Sequence, residues 1–64
     1  MYRIYYEDAT WTGVTVLSNP IKALLQHSEE HPSTLFYIII GSGKVYARDG
    51  QKVTMVMQEE TRVR

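Results

Sequence analysis

The sharpest chemical pattern in the chain is His27-Ser28-Glu29-Glu30-His31. It has the His-x-x-Glu-His form of one class of zinc hydrolases, in which two histidines four apart on a helix share a metal and the intervening glutamate acts as base. Such a centre needs a further carboxylate from a second helix, and this chain has the pattern for one helix only. Pro32 also biases His31 away from helical geometry. The pair therefore reads as histidines near a helix C-terminus, where the helix dipole favours a cation. The acidic doublets Glu7-Asp8, Glu29-Glu30 and Glu59-Glu60 are the right residue type for acid–base work at the wrong spacing, since sequence neighbours do not face each other. Ser42 lacks the G-x-S-x-G context of a nucleophile elbow. Gly41-Ser42-Gly43 is too short for a phosphate loop and leads into a strand rather than a helix. No enzyme, metal site or cofactor is expected.

A second group of residues is suited to recognition. Tyr37 and Tyr46 stand among Lys44, Arg48 and Lys52, with Leu35 and Ile39 close by in sequence. Aromatic side chains interleaved with cations on an exposed sheet can stack bases and neutralise phosphates. The same composition serves protein interfaces, where tyrosine and arginine concentrate the binding energy. Whether these residues meet depends on the strands that carry them.

Those strands are organised around Thr34-Leu35-Phe36-Tyr37-Ile38-Ile39-Ile40, the longest apolar run, bounded by Pro32-Ser33 and Gly41-Ser42-Gly43. Its β-branched and aromatic content predicts a central strand buried on both faces. Phe36, Ile38 and Ile40 point one way, and Leu35, Tyr37 and Ile39 the other. Upstream, Tyr2 to Tyr6 and Thr10 to Leu17 predict a hairpin turning at Glu7-Asp8-Ala9, with the aspartate bonding the backbone two residues on. On the first of these strands Tyr2, Ile4 and Tyr6 share one face, and Arg3 and Tyr5 the other. Gly13 predicts a bulge or a close backbone approach. Asn19 as N-cap and Pro20 at the first helical position open a helix that ends near Glu30. Its apolar stripe is Ile21, Leu24 and Leu25, with Ala23, Gln26, Ser28, Glu29 and Glu30 on the solvated side.

Turn chemistry sets the expected register. A two-residue Gly41-Ser42 loop pairs Ile40 with Gly43, Ile38 with Val45 and Phe36 with Ala47. A three-residue Arg48-Asp49-Gly50 loop then pairs Val45 with Val53, placing Val45, Ala47, Val53 and Met55 on one apolar face. Trp11 is expected at the core or the hairpin edge, and Met55 and Met57 in the core. The second face would carry Leu35, Tyr37, Ile39, Lys44, Tyr46, Arg48, Lys52 and Thr54. The expected fold is α+β: a small antiparallel sheet of about five strands with one helix on one face, in the order ββαβββ.

Composition narrows the function classes. The chain has 64 residues, seven basic and seven acidic, and no cysteine. One domain over 1–64 is expected, fraying over 58–64, and near the lower size limit for independent folding. Zero formal charge gives no general attraction to nucleic acid or anionic lipid. No apolar run approaches the ~20 residues that span a bilayer. The start of the chain lacks the apolar core of a signal peptide. A cytoplasmic protein is expected.

Tyr2-Arg3-Ile4-Tyr5-Tyr6-Glu7-Asp8 resembles the opening of a group of small phage and prophage proteins, and Phe36-Tyr37-Ile38 with Gly41-Ser42-Gly43 sits where their later strand and turn lie. Ala9 stands where that group has a turn glycine, and its later tryptophan is missing here. The resemblance implies a phage origin, hence the cytoplasm of a host cell, and assigns no site residues. The expected function is non-catalytic binding, as an accessory factor that inhibits or modifies a host protein, in the manner of a host-defence inhibitor. The binding residues would be Leu35, Tyr37, Ile39, Lys44, Tyr46, Arg48 and Lys52. A single-stranded nucleic-acid binder using Tyr37 and Tyr46 with Lys44, Arg48 and Lys52 is the alternative. Because one helix cannot cover both faces, a homodimer through Leu35, Tyr37, Ile39 and Tyr46 is also expected.

Overall fold

Residues 1–57 are described by a computed structural model. The expected frayed tail, 58–64, lies outside the described residues. The elements follow the order β1 (Tyr2–Tyr6), β2 (Trp11–Val16), α1 (Pro20–Glu30), β3 (Phe36–Ile40), β4 (Gly43–Arg48) and β5 (Gln51–Met57). The strands form one sheet, β2-β1-β3-β4-β5, in which every neighbouring pair is antiparallel. The fold is α+β in the order ββαβββ, and the Phe36–Ile40 strand is its centre. It starts two residues later than the apolar run does, after a left-handed Ser33 whose N–H donates to Asp49 Oδ1.

One face of the sheet is closed by α1. Leu24 packs there against Ile4, Val16, Phe36, Ile38, Val45 and Ala47, with Tyr2, Val14, Ala23, Leu25 and Ile40 around them. Two residues assigned to the solvated side of the helix belong instead to this interface. Ala23 packs against the core, and Ser28 is fully buried. The Ser28 hydroxyl donates to the Leu25 carbonyl at 2.9 Å and accepts the Gly50 N–H at 2.9 Å, so a buried polar group is satisfied while it ties the β4–β5 turn to the helix. Asn19 precedes the helix as expected, but with φ 49 and ψ 58 its side chain makes no capping bond. Its carbonyl accepts the Ala23 N–H instead.

The first hairpin turns where expected, and Asp8 Oδ1 accepts the Thr10 N–H at 3.0 Å. That bond and a further one from the Thr10 side chain hold the Asp8 carboxyl below its ordinary pKa. Between the pairs Arg3–Thr15 and Tyr5–Trp11, β2 takes four steps to the two of β1. Gly13, at φ 92, lies within this bulge. There the Thr12 hydroxyl donates to the Ile4 carbonyl and accepts the Val14 N–H, standing in for lost ladder bonds.

The β3–β4 register is the expected one: Ile40–Gly43, Ile38–Val45 and Phe36–Ala47. The β4–β5 register is not. A two-residue Asp49-Gly50 loop, both residues left-handed, joins Arg48 to Gln51 in place of the three-residue loop. Ala47 then pairs with Lys52, and a shift in β5 brings Tyr46 opposite Thr54 and Val45 opposite Met55 rather than Val53. The bulge performs the correction assigned to a longer loop, because Asp-Gly is the preferred pair for the doubly left-handed turn. Helix α1 lies mainly over β3 and β4. Met55 faces the helix side but is 53% exposed, and Val53 is 48% exposed, so neither belongs to the core.

Candidate interaction face

The face opposite α1 is built from two rows that cross the sheet. The first runs Trp11–Tyr5–Tyr37–Tyr46–Thr54, one residue from each strand in direct register. Tyr5 stacks on Tyr37 with ring centroids 5.2 Å apart and 24° between planes. Tyr46 approaches from the other side at 5.2 Å and 43°. Each such pair contributes about 0.5–1.5 kcal/mol beyond area burial. Tyr37 is therefore only 4% exposed, although no second layer covers it among the described residues. The sheet face is closed locally by its own aromatic side chains.

The second row is cationic and aliphatic: Arg3, Ile39, Lys44 and Val56. Lys44 pairs with both Ile39 and Val56, and the β1–β3 register continues to Arg3 beside Ile39. Lys44 Nζ lies 4.9 Å from the Tyr37 ring centre, and the Arg3 guanidinium carbon 4.6 Å from that of Trp11. At an exposed site each such contact is worth about 0.5–1 kcal/mol. Ile39 is 37% exposed, Trp11 44% and Val56 46%. No described position in either row is acidic. Glu7 and Asp8 lie in the β1–β2 turn, Glu29 and Glu30 at the end of α1, and Asp49 in the β4–β5 turn.

The residues singled out from the sequence divide accordingly. Tyr37, Ile39, Lys44 and Tyr46 come together on this face. Arg48 ends β4 on the same side by alternation, exposed next to the turn. Lys52 does not belong there: it pairs with Ala47, whose side chain is buried on the helix side, and Thr54 takes the place opposite Tyr46. Leu35 precedes β3 and lines a shallow cleft with Tyr6, Glu7, Asp8, Ser33 and Thr34. Arg3, Tyr5, Trp11 and Val56 are the additions. Alternation along β1 already put Arg3 and Tyr5 on one face, but no residue signalled that β1 lies beside β3.

On the helix side, the His27 and His31 rings lie with centroids 4.4 Å apart and planes tilted by 31°, and Phe36 meets them edge-on at 4.6 and 6.0 Å. His31 is the residue that ends the helix, with φ −129, as Pro32 led one to expect. Its Nδ1 lies 3.0 Å from the His27 carbonyl oxygen, which can only accept, so Nδ1 carries the proton. Burial lowers the His27 pKa, and the neighbouring His31 adds to this, while Glu30 opposes it. No group of three His, Asp or Glu side chains is placed to share a metal among the described residues. No described helix is long and apolar enough to cross a membrane.

No protein-family model, curated protein or solved structure matches the chain. The face must be interpreted from its own chemistry.

Proposed function

We propose that the chain is a non-catalytic binding protein that engages a protein partner through the face opposite α1. The observation that carries this reading is the second row, where half-exposed Ile39 and Val56 flank Lys44 beside a rigid tyrosine platform. An aliphatic strip with cations and no carboxylates fits an apolar patch edged by Asp or Glu on the partner. The resemblance of the opening strand favours a phage accessory factor that inhibits or modifies a host protein in the host cytoplasm.

A single-stranded nucleic-acid binder is the second reading, motivated by Arg3 and Lys44 over aromatic rings. Base stacking needs free ring faces, whereas Tyr37 is flanked by Tyr5 and Tyr46 and almost fully buried. The protein reading is therefore favoured.

The test is capture from bacterial lysate on immobilised wild-type protein and on the Ile39→Glu/Lys44→Glu double variant, with a parallel titration of labelled single-stranded oligonucleotides. A protein retained by the wild type and lost on the variant is the expected result. Salt-sensitive oligonucleotide binding that Lys44→Glu weakens, with no variant-sensitive protein captured, would replace it with the nucleic-acid reading.

A further inference from the structure

The outer edge of β5 is the more regular of the two open edges of the described sheet. We propose that it is a self-association surface, on which β5 of a second copy pairs antiparallel about Met55. This contact shares Val56 and Thr54 with the margin of the face assigned above and leaves Arg3, Ile39, Lys44 and the tyrosines of that face open.

The backbone supplies the donors and acceptors. Gly43 pairs with Ile40 across a two-residue loop, which makes this a hydrogen-bonded pair, and β4 residues then alternate in bonding direction. Gly43, Val45 and Ala47 bond toward β3, while Lys44, Tyr46 and Arg48 bond toward β5. Their partners on β5, Val56, Thr54 and Gln51, use their groups within the sheet. Lys52 before the bulge and Met55 and Met57 after it direct theirs outward, and no described strand receives them.

The side chains at this edge are apolar on both faces. Met55 is 53% exposed and Val53 48%, although α1 reaches β5, and Val56 at 46% lies on the face opposite α1. Residues 53–57 carry no charge. An uncharged, largely apolar edge is a template for another strand. With Met55 opposite Met55 of the copy, Thr54 stands opposite Val56, and each exposed apolar side chain gains a cross-strand neighbour.

Charge and regularity decide between this contact and the alternatives. Stacking two copies face to face would bring Arg3, Lys44 and Arg48 of each toward the same groups of the other. The tyrosines already cover one another, so little apolar area would be recovered in return. Pairing through β2 meets the bulge at Gly13, where the Thr12 hydroxyl stands in for ladder bonds. The β2 edge is uncharged as well, but its bulge takes two extra residues, whereas β5 beyond its one-residue bulge is regular and uncharged over 54–57, with Lys52 on the far side of the bulge. Pairing there also sets the two tyrosine faces side by side, so that one partner could be held at two places.

Light scattering on the purified full chain tests this. The weight-average mass should rise from 7.4 kDa toward twice that value as concentration increases from micromolar to millimolar. Met55→Lys and Met55→Glu should each remain monomeric with an unchanged circular dichroism spectrum, because the side chain is already half in water. An equimolar mixture of the two should recover the doubled mass, as opposite charges then face each other. Ile39→Glu should leave the association intact. A wild type that stays monomeric throughout, or a Met55→Lys variant that still doubles, overturns the proposal. So does loss of association in Ile39→Glu, which would place the contact on the tyrosine face.

Discussion

The two faces of this sheet reach low exposure by different routes. On the α1 side, Ile4, Phe36, Ile38 and Val45 are covered by a separate element, and the helix supplies the fully buried Leu24. On the other side, Tyr37 is nearly as buried with no element above it among the described residues, because Tyr5 and Tyr46 close over it from adjacent strands. One face is thus interior in the ordinary sense, and removing its atoms leaves a cavity. The other is a surface row whose members shield one another, and burial falls off by the next β3 residue on that face, to 37% exposure at Ile39. Stability should therefore reside mainly on the first face and recognition on the second.

The largest expected effect is on the helix side. Ile38→Ala removes fully buried methyl groups and should cost about 2–5 kcal/mol, comparable with the whole stability of a chain this small. Urea denaturation should show little folded population, and a loss below ~1 kcal/mol would contradict the close-packed account of that face. Tyr37→Leu keeps most of the bulk on the other face and removes two aromatic pairs. The expected loss is about 1–3 kcal/mol, from the typical worth of each pair. If Tyr37→Leu proves as damaging as Ile38→Ala, the two faces do not differ in kind.

A paired substitution measures how the β4–β5 turn is held against the helix. Gly50 has φ 82, and a Cβ there would lie 3.2 Å from Glu29 Cβ, whereas Gly13 has φ 92 with nothing within 4 Å. Alanine in the left-handed region costs about 1–2 kcal/mol at either position. Gly50→Ala should exceed Gly13→Ala by the further strain of displacing Glu29. Equal denaturation midpoints would mean that the helix end gives way freely at this contact.

Much of this contrast was legible in the chain. The Phe36–Ile40 run identified the central strand, Pro20 and Pro32 bracketed the helix, and the Gly41-Ser42 loop gave the β3–β4 register. The sequence did not disclose that β1 lies beside β3, because alternation assigns a residue to a face but does not rank its neighbours. Tyr5 and Trp11 were missed for that reason, and with them the self-covering of Tyr37. Lys52 was misplaced because a bulge restores an apolar register as well as a longer loop does, and nothing local in Gln51-Lys52-Val53 chooses between them. Ser28 looked like a surface residue, since serine is usually exposed; its burial follows from a turn that arrives from a distant part of the chain.

A smaller effect distinguishes the helix side by its pH response. The folded state lowers the His27 pKa below its usual 6.5, through burial and the adjacent His31. Below pH 6.5 the unfolded chain takes up the proton more readily, so this contribution to stability is present above that pH and is lost as pH falls toward the folded pKa. Denaturation midpoints of the wild type should decline on acidification through this window, and His27→Gln should flatten the decline. An unchanged slope in His27→Gln would remove the histidine pair from the account.

The division of labour between the faces is tested most directly by Ile39→Glu. This variant alters a half-exposed residue on the open face without touching the α1 core. Its denaturation midpoint should stay within ~0.5 kcal/mol of the wild type, while the protein partner retained by the wild type should no longer be captured on it. Retention of that partner at wild-type level by a fully folded Ile39→Glu protein would contradict the assignment of this face to binding.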